Sequence, residues 1–125
     1  MRKKSLLSFF FFFSFFFLSF AITALSASNI DILVFFPHPD DAVLCCGGTI
    51  AKALKTKKKV KVVFVTNGDA YSRAAAYLAK KKEKKLLPAD YINLGIILQK
   101  EALRAQRKLG LKKKDIIFLS YPDKG

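Results

Sequence analysis

The segment best equipped for chemistry is Pro37-His38-Pro39-Asp40-Asp41, which contains the only histidine of the 125 residues. It places one imidazole and two carboxylates within four residues, so these groups lie close together before any tertiary contact forms. Imidazole nitrogen and carboxylate oxygen are donors that zinc and other borderline divalent metals accept. The two prolines fix φ at their positions and restrict the conformations that the turn can adopt.

Spacing alone leaves two interpretations of this segment open. In the first, His38 and Asp41 bind a divalent metal, and Asp40 takes a proton from a water molecule whose pKa the metal has lowered. In the second, the carboxylates cap the helix that follows. A hydrolytic zinc site usually needs three protein ligands and one open position. Because the segment supplies two ligands, the source of the third is the main functional question.

The surrounding sequence alternates between apolar runs and helical patterns. Parallel strands are predicted near 30–36, 60–66 and 115–119. Helical patterns cover 42–54, 70–85 and 98–109, Pro88 is expected to end the second of them, and Tyr91–Gly95 is predicted to be a loop. This order is typical of an α/β three-layer sandwich with a mostly parallel sheet, here partial, and with helices on both faces.

A parallel sheet brings the carboxyl ends of its strands to one edge, where open α/β proteins bind their ligands. Each predicted strand is followed by polar side chains that suit such a site. These residues are His38, Asp40, Asp41, Asn67 and Asp123. We therefore expect them to cluster at one edge of the sheet.

Residues 1–27 have the composition of a targeting segment. Arg2, Lys3 and Lys4 form a basic head, a phenylalanine-rich run covers residues 6–20, and small residues follow at 24–28. This pattern is typical of a secretory signal peptide, and a membrane anchor is the alternative, because residues 6–25 approach the roughly 20 needed to span a bilayer. The chain is thus expected to be exported (periplasmic, extracellular or membrane-anchored), with membrane association through residues 5–25, and residues 28–125 form its domain.

The formal net charge is +14, and the lysines concentrate at 57–61, 80–85 and 112–114. Such runs attract polyanions, but they are also the ordinary composition of a solvated surface. No nucleic-acid partner is expected, because no recognised binding motif accompanies the charge. Cys45 and Cys46 are adjacent, without the intervening residues of a metal-binding pair, and are expected to pack where the first helix meets the sheet.

The longer segment around His38 resembles the signature of the PIG-L/LmbE-like deacetylases, in which PHPDD is followed by a short apolar spacer and GGT. Here Pro37–Asp41 is followed by Gly47-Gly48-Thr49. The second strand and its Thr66-Asn67-Gly68 turn are similar to the family's next motif, as are Glu101–Leu103, Leu109-Gly110 and Phe118–Asp123. The resemblance covers about residues 30–123, and the first of its motifs is the most specific.

The resemblance implies the N-terminal portion of a Rossmann-like, zinc-dependent hydrolase that removes an acetyl group from an N-acetylated amino sugar or glycolipid. Matched position by position, His38 and Asp41 correspond to metal ligands and Asp40 to the general base. Family members take a third ligand and a catalytic histidine from a C-terminal half, and this chain has no second histidine. The family also commonly carries a substrate-binding arginine at the position of Leu98.

Three hypotheses follow from this comparison. The chain is a deacetylase-type hydrolase represented by its N-terminal part, with weak or no activity and a weakly held Zn²⁺ or other divalent metal. It is, alternatively, a non-catalytic relative of that family. The third hypothesis, of another class, is a small secreted basic module that binds anionic surfaces. Metal binding by His38 and Asp41 distinguishes the first from the third.

Overall fold

The computed structural model describes residues 29–124 as three strands, three α-helices and two short 3₁₀ turns. The strands are β1 (Ile32–Phe36), β2 (Val60–Thr66) and β3 (Ile116–Tyr121). The helices are α1 (Asp41–Lys55), α2 (Ser72–Ala79) and α3 (Pro88–Leu109), and the 3₁₀ turns are Glu83–Lys85 and Lys113–Asp115.

The strands form one parallel sheet in the order β1-β2-β3, with β2 in the centre. Val62 on β2 is level with Val34 on β1 and with Ile116 on β3. The register between β2 and β3 shifts after Phe64, so that Thr66 lies opposite Tyr121. Parallel strands need long crossover connections, and the helices supply them. The predicted α/β class and parallel sheet are confirmed.

One face of the sheet carries the core. Phe36, Phe64 and Phe118 form a row across the three strands, with ring centroids 6.0 and 5.0 Å apart along the row. Ile50 of α1 and Ala102 of α3 belong to the same buried cluster. Phe64 is fully buried, and burial of such a side chain contributes about 1.5–3 kcal/mol.

Among residues 29–124, the opposite face of the sheet is exposed along its two edge strands, whereas Val63 on the central strand is buried. Its apolar side chains alternate with those of the core along each edge strand, as the two-residue period of a strand requires. Leu33 and Phe35 of β1 and Ile117 and Leu119 of β3 are all exposed, Phe35 to 60%. The helices of residues 29–124 thus form a layer on one face only, so the prediction of helices on both faces is corrected for this part of the chain.

Two helix predictions need correction. Tyr91–Gly95 is not a loop, because α3 runs without interruption from Pro88 to Leu109. Pro88 does not end the helix predicted over 70–85, because it occupies the first turn of α3, where a missing N–H costs nothing. The helix predicted over 70–85 ends at Ala79, since Lys80 adopts a left-handed conformation (φ 53°). The predicted stop of α3 at Gly110 (φ 109°) is confirmed.

The cysteine prediction is correct for one residue of the pair. Cys46 packs against the core beneath α1, whereas Cys45 is exposed, and both are free thiols. Adjacent helical residues point about 100° apart, so only one of the two can face the sheet.

The predicted signal peptide or membrane anchor at residues 1–27 lies outside the described residues. Within residues 29–124, no helix has the length and apolar character needed to cross a membrane.

Candidate metal centre

The carboxyl ends of all three strands are tied together by backbone hydrogen bonds. The N–H of Thr66, at the end of β2, donates to the carbonyl of Pro37 after β1 (2.9 Å). The N–H of Asn67 donates to the carbonyl of Tyr121 at the end of β3 (2.9 Å). The turns that follow the strands are therefore held side by side, as the parallel arrangement predicts.

His38 and Asp41 face each other across the first of these turns. The Asp41 carboxylate Oδ2 accepts the backbone N–H of His38 at 2.9 Å and lies 3.4 Å from His38 Nδ1. Two ligands of one tetrahedral zinc ion, each bonded at about 2.1 Å, are separated by roughly 3.4 Å. Both side chains remain partly exposed, so the space between them is open to a ligand. The pair fits two positions of a zinc site.

Asp40 completes a cluster of three potential donors. One atom each of His38, Asp40 and Asp41 lies within 4.8 Å of the others. Asp40 occupies the N-cap position of α1 in a helical conformation (φ −84°, ψ −26°), and its side chain makes no capping hydrogen bond. The interpretation of Asp40 as a helix cap is therefore wrong, and its exposed carboxylate is available to the cluster.

Asp123 reaches the same cluster from the far end of the chain. Its Oδ1 lies 2.7 Å from His38 Nε2, although 85 residues separate the two in sequence. The Asp123 backbone N–H donates to Asp69 Oδ1 at 2.9 Å, and Thr66 Oγ1 lies 3.3 Å from Asp123 Oδ1. Asp123 is thus held by both neighbouring turns.

The imidazole of His38 is in a strongly acidic environment. Burial is the largest single influence on its pKa and lowers it, but the opposing contributions together outweigh burial. The hydrogen bond to Asp123 comes first among them, followed by the negative charges of Asp123, Asp41 and Asp40. The pKa of His38 is therefore raised above its usual value of 6.5. The same negative charges that favour a proton also favour a metal cation.

The second turn, Asn67–Asp69, is wedged between the first turn and α3. Gly68 has a left-handed backbone (φ 65°), and a β-carbon there would lie 3.0 Å from Pro39 Cδ. A β-carbon on Gly95 of α3 would lie 3.0 Å from Asn67 Cβ. Both glycines permit close approaches that no other residue allows without movement. They set the distance between α3 and the cluster.

A second polar group lies at this edge of the sheet. The Gln99 amide donates to Asn67 Oδ1 and to Ser120 Oγ, and Asn67 Nδ2 donates to the Ser120 carbonyl. The sequence indicated Asn67 through its turn, but it gave no sign of Gln99, which sits inside a helical pattern. Asp69 is a further residue of the site that could have been identified, because it ends the same turn.

Leu98, at the position where the resemblance implies an arginine, lies at the site. Its Cδ1 would be 3.3 Å from a β-carbon on Gly68, so the leucine covers the second turn with apolar surface. Arg104, further along α3, is exposed and lies 4.0 Å from Glu101. The leucine side chain at the matching position therefore has no hydrogen-bond donor.

Two cavities lie at opposite edges of the sheet. One of about 550 Å³ borders the second turn and is lined by Asp69, Ser72, Tyr91 and Pro122, among others. The other, of about 640 Å³, is at the amino edge, far from His38, with five lysines in its lining. Ligand pockets usually measure about 300–1,000 Å³. The smaller cavity lies beside the second turn, through Asp69, and beside Pro122, which precedes Asp123.

Comparison with known proteins finds a family model, a solved structure and a shorter curated match. Residues 33–125 match the sequence model of the family described as GlcNAc-PI de-N-acetylase (PIG-L). The N,N'-diacetylchitobiose deacetylase of Pyrococcus horikoshii, solved with its inhibitor MPG, is structurally similar, with a TM-score of 0.56 and 31% identity over 73% of this chain. A glucosamine-6-phosphate deaminase-like protein of Bacteroides thetaiotaomicron is 40% identical over 38 residues, 30% of this chain.

Both relatives are much longer than the matched region. This chain covers 29% of the Pyrococcus deacetylase and 6% of the Bacteroides protein.

Proposed function

Because this chain belongs to the PIG-L family of GlcNAc-PI de-N-acetylases, we propose that it provides the metal-binding turn and the general base of an N-deacetylase acting on an N-acetylated amino sugar or glycolipid. The main support is the cluster formed by His38, Asp40 and Asp41 at the carboxyl edge of the sheet. The activity of the longer Pyrococcus relative, a deacetylase of a diacetylated sugar, is consistent with this substrate class.

His38 Nδ1 and Asp41 Oδ2 are the atoms that would hold the metal, because they are 3.4 Å apart and face each other. A zinc ion bound there supplies a Lewis acid for the amide carbonyl and lowers the pKa of water. The backbone N–H of His38 fixes the Asp41 carboxylate in advance. Little reorganisation of these two side chains is therefore needed on binding.

Asp40 is the residue best placed to move a proton. Its carboxylate belongs to the cluster, is exposed and is not used as a cap. It would accept a proton from the attacking water and donate it to the departing amine, so that the amide C–N bond breaks as a free amino sugar and acetate form. The cavity beside Asp69 and Tyr91 would receive the sugar ring.

Of the three protein ligands that the resemblance to the family implies for a catalytic zinc site, this chain contains two, His38 and Asp41, because the third comes from the C-terminal half of family members and His38 is the single histidine here. We therefore propose that the chain alone binds zinc weakly and has little or no deacetylase activity. Leu98 adds to this deficit, since leucine cannot replace the bidentate hydrogen bonds of an arginine.

Zinc titration of the full-length chain, kept in solution with a mild detergent, tests this proposal. We expect weak one-to-one binding that His38→Ala abolishes and that Asp115→Asn, at the opposite edge of the sheet, leaves unchanged. Released acetate from N-acetylglucosamine derivatives should be at background level for the chain alone, and should rise when the C-terminal half of a related deacetylase is added. Zinc binding that survives His38→Ala would overturn the proposal.

We propose also that residues 1–27 direct the chain to export, or hold it at a membrane through residues 5–25. The supporting observation is the basic head followed by the phenylalanine-rich run. N-terminal sequencing of the exported product should begin near residues 27–29. An intact Met1 in the membrane fraction would favour the anchor instead.

A further inference from the structure

We propose that Asp123 is a positioning residue for His38, accepting its Nε2–H and thereby directing the Nδ1 lone pair towards Asp41. This inference rests on the metal site proposed above and concerns how this chain prepares its one histidine for that role. Asp123 lies outside the segment that contains the three candidate metal-site residues, and its Oδ1 is 2.7 Å from His38 Nε2.

The contact has the length of a hydrogen bond to a charged acceptor. A neutral imidazole carries its proton on one nitrogen, and the other nitrogen offers a lone pair. Because the Asp123 carboxylate can only accept, it selects the form protonated at Nε2. The remaining donor atom, Nδ1, is the one that lies 3.4 Å from Asp41 Oδ2.

Asp123 is itself held in place, which a positioning residue must be. Its backbone N–H donates to Asp69 Oδ1, so the exit of β3 is attached to the turn after β2. Thr66 Oγ1 lies near the same carboxylate oxygen that contacts His38. The side chain of Asp123 is about one-fifth exposed, compared with two-fifths for His38. The less exposed, better fixed group therefore orients the more exposed one.

Metal-binding histidines commonly donate their second N–H to a carboxylate, and loss of that partner typically weakens metal affinity about 10–100-fold. The arrangement of Asp123, His38 and Asp41 has this form. The turn after β3, which contains Asp123, is therefore part of the metal site in addition to the three-residue cluster.

The test compares three variants of the full-length chain in detergent. We expect Asp123→Ala to weaken zinc binding about 10–100-fold. Asp123→Asn should lose less, because its amide oxygen still accepts the Nε2–H and preserves the shape of the turn. Asp115→Asn removes the same charge at the opposite edge of the sheet and should leave the affinity unchanged. Unchanged affinity in Asp123→Ala would overturn the proposal.

Asp123→Asn also distinguishes positioning from direct ligation. A ligand carboxylate cannot be replaced by an amide, so a loss as large as that of Asp41→Asn would show that Asp123 binds the metal itself, contrary to the proposal. Circular dichroism of each variant checks that the fold is retained.

A second readout does not depend on zinc. The ring nitrogens of His38 can be observed by ¹⁵N NMR without ambiguity, because the chain has no other histidine. In the metal-free chain at alkaline pH, where the imidazole is neutral, we expect the Nε2–H form alone, and a mixture of both forms in Asp123→Ala. Predominance of the Nδ1–H form in the wild type would overturn the proposal. If no zinc binds at all, the proposed function fails, and the ring measurement still decides the role of Asp123.

Discussion

Replacement of Gly95 by alanine tests how α3 is placed against the site. Gly95 lies inside α3, and a β-carbon there would meet Asn67 Cβ at 3.0 Å and Asp69 Cβ at 3.3 Å. Gly48, inside α1, offers a matched control, because a β-carbon there meets nothing within 4 Å. Both substitutions make the same chemical change in a helix, and only one of them inserts an atom into a tight contact.

The expected magnitudes follow from two opposing effects. Alanine in place of an interior helical glycine stabilises the folded state by about 1 kcal/mol. An added methyl group in a tightly packed position costs about 1–3 kcal/mol. Gly48→Ala should therefore raise the free energy of unfolding by about 1 kcal/mol, and Gly95→Ala should leave it unchanged or lower it by up to about 2 kcal/mol.

Thermal unfolding followed by circular dichroism measures the difference between the two variants. In a domain of this size, 1 kcal/mol corresponds to roughly 4–8 °C in Tm, so a difference of about 2 kcal/mol gives roughly 8–16 °C. Gly95→Ala should also weaken zinc binding, since it displaces Asp69 and with it Asp123. If Gly95→Ala is as stable as Gly48→Ala, the close approach of α3 to the second turn is not a constraint and this reasoning fails.

Three further predictions concern the turns and the charges. Gly68→Ala should destabilise the chain by about 1–3 kcal/mol in urea unfolding, because alanine is strained at φ 65° and approaches Pro39; unchanged stability would contradict the wedged turn. The raised pKa of His38 means that its stabilising contribution is complete below its ordinary value of 6.5 and is lost as the pH rises through the folded-state pKa. The Tm of the metal-free chain should therefore fall more between about pH 6 and pH 8 than that of His38→Gln, and equal profiles would refute this. The hydrogen bond from Lys81, then that from the Leu87 N–H, lowers the pKa of Asp90. The stabilising contribution of the ionised Asp90 carboxylate is present at pH values above its ordinary pKa of 3.8 and is lost as the pH falls through the folded-state pKa. Asp90→Asn should therefore lower the Tm at neutral pH and match the wild type in strong acid. A Tm that is lower by the same amount at both pH values would contradict this.

The strands were predictable because buried parallel strands are continuous apolar runs. The first half of α3 was not predicted, although its start is marked in the sequence. Pro88 was expected only to end the preceding helix, but proline also suits the first turn of a helix. The second signal is Asp90, whose Oδ2 accepts the Leu87 N–H at 2.8 Å and so caps the start of α3. Gly95 lies inside α3 for a reason that the sequence does not reveal, namely its close approach to Asn67.

The site was predictable in part for similar reasons. The edge at which His38 and Asp123 meet follows from strand direction alone. The hydrogen bond between them does not, because it depends on the register shift at the end of β2 and β3. Gln99 could not be identified, since its role depends on which side of α3 faces Asn67.

The contact between His38 and Asp123 also makes the site a reporter of complete folding. It closes a loop of 85 residues. Bringing together residues so distant in sequence costs loop-closure entropy, and such a contact forms only after the strand pairings between them have paid most of that cost. During synthesis, β1, α1 and β2 leave the ribosome well before Asp123, so the ring of His38 is at first without its partner. The position of the proton on the His38 ring therefore becomes fixed when β3 has joined the sheet, and a chain with intact helices but an undocked third strand would show a mixture of both ring forms at this histidine.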